Sequence, residues 1–141
     1  MDYREAYEKA LQLLNVRFLS EGELKAKLRR RGVDDDVLED VVAALEGEHF
    51  LDDQRLARDV YRYYARKGQY GHLYIVNRLR RRCLPVPQDV QRPDEYAMAV
   101  YVVMLKFSYR ADEARKAAGF LQYRGFSPSV IRDVLEDFTV H

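Results

Sequence analysis

Leu28-Arg29-Arg30-Arg31-Gly32-Val33 returns 93 positions later as Leu121-Gln122-Tyr123-Arg124-Gly125-Phe126. The register holds on both sides of this stretch. Val37, Leu38, Val41, Val42 and Leu45 fall on Val130, Ile131, Val134, Leu135 and Phe138. Upstream, Ala10, Leu11, Leu14 and Arg17 fall on Val103, Met104, Phe107 and Arg110. A weaker copy, Leu79-Arg80-Arg81-Arg82-Cys83-Leu84, lies between the two. Three copies of a unit of about 46 residues predict a linear array in which neighbouring units bury each other's apolar faces. The spacing divides the chain at residues 1–51, 52–92 and 93–141.

Each copy reads as three helices. Tyr7, Ala10, Leu11 and Leu14 keep the 3.6-residue spacing of one buried helix face. Ser20-Glu21-Gly22-Glu23 is a capping box that opens a second helix carrying Leu24 and Leu28. Gly32 ends it, because glycine takes the left-handed conformation of a helix terminus without a Cβ clash. Asp34 or Asp35 is the expected cap of a third helix bearing Val37, Leu38, Val41, Val42 and Leu45. In the closing copy Gly125 is the stop, and Ser127-Pro128 supplies a cap followed by proline at the first helical position. In the middle copy Asp52 caps a helix with Leu56, Ala57, Val60, Tyr61 and Tyr64, and Gly68 to Gly71 turns the chain into a helix with Ile75, Val76 and Leu79 inside. Pro85 and Pro87 then leave room for only a short piece at 88–91, so that repeat's third helix is predicted to be stunted. No window shows strand alternation. The predicted fold is all-α: three tandem three-helix, helix-turn-helix-like repeats forming a short curved solenoid.

The 141 residues are 48% hydrophobic and 33% charged, a balance that suits a folded helical protein. No run reaches the roughly 18–20 apolar residues a membrane span needs. Met1-Asp2-Tyr3-Arg4-Glu5 lacks the pattern of an export signal, and a lone cysteine, Cys83, forms no internal disulfide, so a cytoplasmic location is expected. A net charge of +1 conceals a segregation. Residues 34–53 hold nine acidic side chains and no Lys or Arg, whereas residues 60–88 hold seven basic ones and no Asp or Glu. A basic stripe beside an acidic one suits a protein partner or nucleic acid.

The middle helices carry the candidate binding residues. Helical spacing puts Tyr74, Arg78, Arg81 and Arg82 on one side, away from Ile75 and Leu79. The matching positions are Glu23, Lys27, Arg30 and Arg31 in the first copy, and Phe120, Tyr123 and Arg124 in the third. With Arg80, four arginines occupy five positions, more than compensation of a helix dipole requires. The arginine fork suits carboxylates and phosphates alike. A solvated helix face is the alternative reading of each residue taken singly. Tyr61, Tyr63, Tyr64, Tyr70 and Tyr74 crowd the same region, with Tyr61 and Tyr64 spaced as core residues. Interleaved aromatic and basic side chains can also stack on and neutralise single-stranded nucleic acid. Asp34-Asp35-Asp36 lacks the glycine and terminal glutamate of a calcium loop. His49, His72 and His141 are scattered, with no metal-ligand spacing to Cys83. Neither a phosphate-binding glycine loop nor a nucleophile elbow occurs, so no catalytic residue, cofactor, metal or small-molecule substrate is expected.

Arg17-x-x-Ser20-Glu21-x-Glu23-Leu24-x-x-Lys27-Leu28, then Phe50-Leu51-Asp52-Asp53, resemble the RecX family of bacterial regulatory proteins. Lys67-Gly68 to Gly71 with Ile75 and Leu79 is similar to that family's central repeat, and Arg124-Gly125-Phe126-Ser127 with Val130-Ile131 to its closing one. The resemblance implies a protein of DNA recombination, repair and the SOS response. It would lodge in the groove of the RecA filament on single-stranded DNA and dampen ATP hydrolysis and strand exchange. Two departures stand out: Cys83 where the outer repeats have glycine, and Pro85-x-Pro87 after it. Two other readings compete. Tandem helix-turn-helix-like units could bind single- or double-stranded DNA directly, although the acidic band at 34–53 opposes this. A solenoid adaptor for an unrelated protein is the third.

Overall fold

The computed structural model describes residues 1–107 and 110–140, and His141 lies outside them. The described residues form helices and no strand. The helices are α1 (Tyr3–Val16), α2 (Glu21–Arg30), α3 (Asp35–Gly47), α4 (Asp53–Arg66), α5 (His72–Arg81), α6 (Glu95–Lys106), α7 (Ala114–Tyr123) and α8 (Pro128–Val140), with a 3-10 turn at Ala111–Glu113 before α7. The chain divides into two compact units, one of residues 1–59 with 79–87, the other of residues 60–78 with 88 onward. Helices α4 and α5 each contribute to both. None of the described helices is long and apolar enough to cross a membrane.

In the first unit, α1 starts on Asp2, whose carboxylate accepts from the Glu5 amide at 2.9 Å. Its buried face centres on Ala6 and Ala10, while Tyr7, Leu11 and Leu14 are half-buried against the same core. That core continues through Leu24, Leu28, Leu38, Val41, Val42 and Leu45 of α2 and α3. The capping box forms as predicted. Ser20 Oγ accepts from the Glu23 amide at 3.0 Å, and Glu23 Oε1 accepts from the Ser20 amide at 2.9 Å. Asp53 adds a second acceptor, its Oδ1 taking the Glu21 amide at 2.9 Å. These bonds satisfy amides that the first turn of α2 leaves open. Asp52 caps α4 through the Arg55 amide at 3.1 Å. At α3 the expectation is met only in position. Asp34 is the N-cap residue but its side chain makes no cap bond, and Asp35 instead pairs with Arg29 at 3.1 Å.

Helix α5 ends in this unit at Cys83, whose φ is +57°, where the equivalent Gly32 and Gly125 have +85° and +81°. A side chain in this conformation is strained. Between residues 82 and 94 no helix follows, and the third helix of the middle repeat is reduced to a bend at 88–90. Cys83 also explains a glycine inside the capping box. A Cβ added at Gly22 would lie 2.7 Å from the Cys83 Cβ and 3.1 Å from its Sγ.

The second unit packs α6, α7 and α8 around Ala99, Val103, Ala117, Leu121, Val134 and Phe138. Ser127 Oγ accepts from the Val130 amide at 3.3 Å, capping α8 as its sequence predicts. From the 60–78 segment, Tyr61, Ile75 and Val76 are buried. Tyr61 Oη and His72 Nδ1 lie 2.9 Å apart. Burial, with the nearby Arg92 charge, holds the His72 pKa below its ordinary value against the opposing pull of Glu95.

Two predictions follow from these packings. Gly22→Ala will destabilise the protein in urea unfolding, and less so in a C83G background, with a coupling of about 1 kcal/mol or more in the double-mutant cycle. For His72, the unfolded chain takes up the proton near pH 6.5 while the folded one resists it. Its stabilising contribution is therefore present above that pH and lost as pH falls through the depressed folded value. Urea midpoints measured at falling pH will decline more steeply for the natural chain than for His72→Gln.

Candidate binding surface

The surface is organised by a junction of two helix ends within the second unit. Helix α7 stops at Gly125, and the carbonyls of Arg124 and Gly125 accept from the Gly71 amide at 2.8 Å and the Leu73 amide at 3.2 Å. Glu95 Oε1 takes the amide between them, that of His72, at 3.1 Å. The open amides at the start of α5 are thus satisfied by the end of α7 and by one carboxylate. The approach is backbone on backbone: a Cβ on Gly125 would collide with the Tyr74 nitrogen, and one on Gly71 with the Gly125 carbonyl oxygen.

This seats Tyr70 and Tyr74 beside Arg124. The two rings stack at 4.1 Å with an interplanar angle of 13°. Tyr64 meets both edge-on at 5.9 and 5.8 Å, and Tyr63 packs on Tyr64 at 5.1 Å. Cations fill the gaps between rings. Arg78 lies 5.0 Å from the Tyr74 ring and 6.0 Å from that of Tyr64, and donates twice to Tyr74 Oη, at 2.7 and 3.1 Å. Arg124 sits between Tyr70 at 5.2 Å and Phe120 at 4.9 Å and donates to Gln69 Oε1 at 3.0 Å. Lys106 lies 4.4 Å over Phe120, and Lys67 lies 4.7 Å over Tyr63. Four cations are therefore held by aromatic faces, which attract positive charge without neutralising it.

Of the ten candidate residues, Tyr74, Arg78 and Arg124 come together in this array. Tyr123 is 78% exposed on α7. Lys27, Arg30 and Arg31 are exposed at the end of α2, and Arg80 and Arg81 at the end of α5, all in the first unit. Arg82 is employed differently. It donates to Glu23 Oε1 at 3.1 Å and to the Phe18 carbonyl at 2.8 Å, fastening the tail of α5 to the capping box. Burial alone would raise the Glu23 pKa, but the hydrogen bonds from Arg82 and Ser20 outweigh it and leave the carboxyl below its ordinary value. Tyr61 is core, while Tyr64 is half-buried at the heart of the ring cluster. Lys106 and Gln69 emerge only in three dimensions, since neither occupies a matched repeat position. Among the described residues no group of three or more His, Cys, Asp or Glu side chains is placed to hold a metal.

Gly125→Ala will cost about 3 kcal/mol or more, since it combines a left-handed backbone with a backbone collision. Urea unfolding will report the loss. A change in the near-ultraviolet tyrosine signal will show that the ring stack goes with it.

Two family descriptions match this chain. RecX, first three-helix domain, covers residues 6–45, and RecX, third three-helix domain, covers residues 94–135. These ranges fall on α1–α3 and α6–α8. The regulatory protein RecX of Geobacillus thermodenitrificans (strain NG80-2) is 32% identical over 98% of this chain, which spans only 55% of that protein's length. The regulatory protein RecX of Vibrio cholerae serotype O1 (strain ATCC 39541 / Classical Ogawa 395 / O395) is 32% identical over 96% of this chain and 94% of its own. The crystal structure of RecX from Lactobacillus salivarius superposes with a TM-score of 0.79 over 99% of this chain and 98% of that one, at 17% identity, and so shares the fold. Matched in its first and third three-helix units and aligned nearly end to end with a 32% identical relative, this chain belongs to the RecX family.

Proposed function

We propose that this protein is a non-catalytic cytoplasmic regulator that occupies the groove of the RecA filament on single-stranded DNA and lowers RecA's ATP hydrolysis and strand exchange. The observation that carries the reading is the array of cations seated on rings rather than paired with carboxylates. A nucleoprotein filament offers both carboxylates and phosphates, and arginine forks suit both. Lys27, Arg30, Arg31, Arg80 and Arg81 on the first unit, and Tyr74, Arg78, Tyr123 and Arg124 on the second, are the proposed contacts. Arg82 acts as a positioning residue through Glu23. Two sets of contacts carried on one chain raise each other's effective concentration. A clamp of this kind would hinder the subunit motions that accompany ATP turnover.

The parallel Tyr70–Tyr74 stack favours one second reading, a module that binds single-stranded DNA directly. Salt separates the two, because binding through several phosphates weakens steeply as salt rises.

Titrated into a reaction in which RecA hydrolyses ATP on single-stranded DNA, the protein will inhibit well below the concentration at which it binds the same DNA alone. The double variant R78E/R124E will need about tenfold more protein for half-inhibition, with unchanged helix content by circular dichroism. Unaltered RecA turnover beside tight, salt-sensitive binding to bare DNA would establish the second reading instead.

A further inference from the structure

Helix α6 keeps only part of its apolar surface inside the second unit. Ala99, Val102 and Val103 face the core, yet Tyr101 is 61% exposed, Met104 62% and Leu105 71%. A groove of about 770 Å³ runs along this helix, with Met98, Tyr101, Val102 and Leu105 among the residues of its apolar floor. Its rim carries Lys67, Lys106 and Arg124, and no acidic residue lines it. None of these three cations pairs with a carboxylate among the described residues; each is held by an aromatic ring. The groove therefore combines an uncovered apolar strip with uncompensated positive charge on its edge.

We propose that this groove is a docking site for an acidic amphipathic segment of a partner protein. Its apolar side chains would lie on Met98, Tyr101 and Leu105, and its Asp or Glu side chains would meet Lys67, Lys106 and Arg124. The aliphatic part of the floor favours peptide: Met98, Val102 and Leu105 bury apolar side chains of a helix well beside the rings of Tyr101 and Phe120, whereas the parallel tyrosine stack suited to bases belongs to the neighbouring array. A second copy of this chain fits the groove less well. Its own acidic run at 34–53 carries its apolar residues Leu38, Val41, Val42 and Leu45 inward, in the core of the first unit. The proposal shares Lys67, Lys106 and Arg124 with the surface above but does not depend on RecA being the partner.

The test uses the intact chain without RecA or DNA. A fluorescent 14-residue helical peptide with leucines at i, i+3, i+4 and i+7 and glutamates between them is followed by anisotropy. Its counterpart with lysines for glutamates, a scrambled version and a labelled oligothymidine serve as competing probes. The glutamate peptide is expected to bind at least about tenfold more tightly than its lysine and scrambled counterparts. Leu105→Glu and Lys106→Glu are expected each to weaken it by about tenfold, with unchanged melting temperature. Leu105 is an exposed position, so its replacement tests the groove and not the fold. Equal binding of the lysine and glutamate peptides, or indifference to Leu105→Glu, would overturn the proposal. Oligothymidine displaced by Lys106→Glu but untouched by Leu105→Glu, with no peptide bound, would identify a phosphate site and overturn it as well. Peptide-independent dimerisation through α6, seen by sedimentation and abolished by Leu105→Glu, would do the same.

Discussion

The backbone contact between Gly125 and the first turn of α5 sets the terms for everything built around it. Two carbonyls at the end of one helix meet two amides at the start of another, and nothing larger than hydrogen fits between. Because the contact is made by main chain, it fixes both the distance and the rotation of α5 against α7. In that setting Tyr70 and Tyr74 lie stacked on each other, and Arg124 lies between Tyr70 and Phe120. Side-chain packing alone would leave such long residues several rotamers, at an entropic cost to any partner that had to order them.

Cations are held in two ways, by carboxylates, as Arg110 is by Asp112 at 3.1 Å in the second unit, and by aromatic rings. In the first, Lys25 reaches Glu21 at 2.9 Å and Glu39 at 3.0 Å, Arg29 reaches Asp35, and Arg82 reaches Glu23. In the second, Lys67, Arg78, Lys106 and Arg124 rest on aromatic faces. Both arrangements are worth about 1 kcal/mol or less apiece at an exposed site. They differ in what remains afterwards. An ion pair cancels the field, and an incoming anion must displace the resident carboxylate. A ring restrains the cation and leaves its charge facing outward.

The helical grammar was open to reading because its signals are local. Ser20 with Glu23, Asp52 before α4 and Ser127 before Pro128 each specify a helix start within four residues. Gly32 and Gly125 specify stops through a single backbone dihedral. The site was legible only in part, since its remaining determinants are long-range. An arginine run does not reveal that Arg82, alone among its neighbours, faces a glutamate 59 residues away. The apolar character of α6 extends around nearly its whole circumference, so periodicity could not say which residues would stay outside. Asp34 followed its propensity into the cap position without making the cap bond, and its neighbour Asp35 pairs with Arg29 of the preceding helix. Gly125 was recognisable as a stop, but its second role, as a gap for another helix's backbone, has no local signature.

One consequence lies in what the start of α5 is no longer free to do. A helix N-terminus ordinarily offers its amides and its dipole to an anion. Here those amides are engaged by the carbonyls of Arg124 and Gly125 and by the Glu95 carboxylate. Attraction for negative charge has been moved off the backbone and onto the tips of long side chains. A backbone anion site is inherited with the fold and changes little while the fold lasts. A site made of Lys67, Arg78, Lys106 and Arg124 can be redrawn one codon at a time. The scaffold is thus free to persist while its descendants diverge in what they hold.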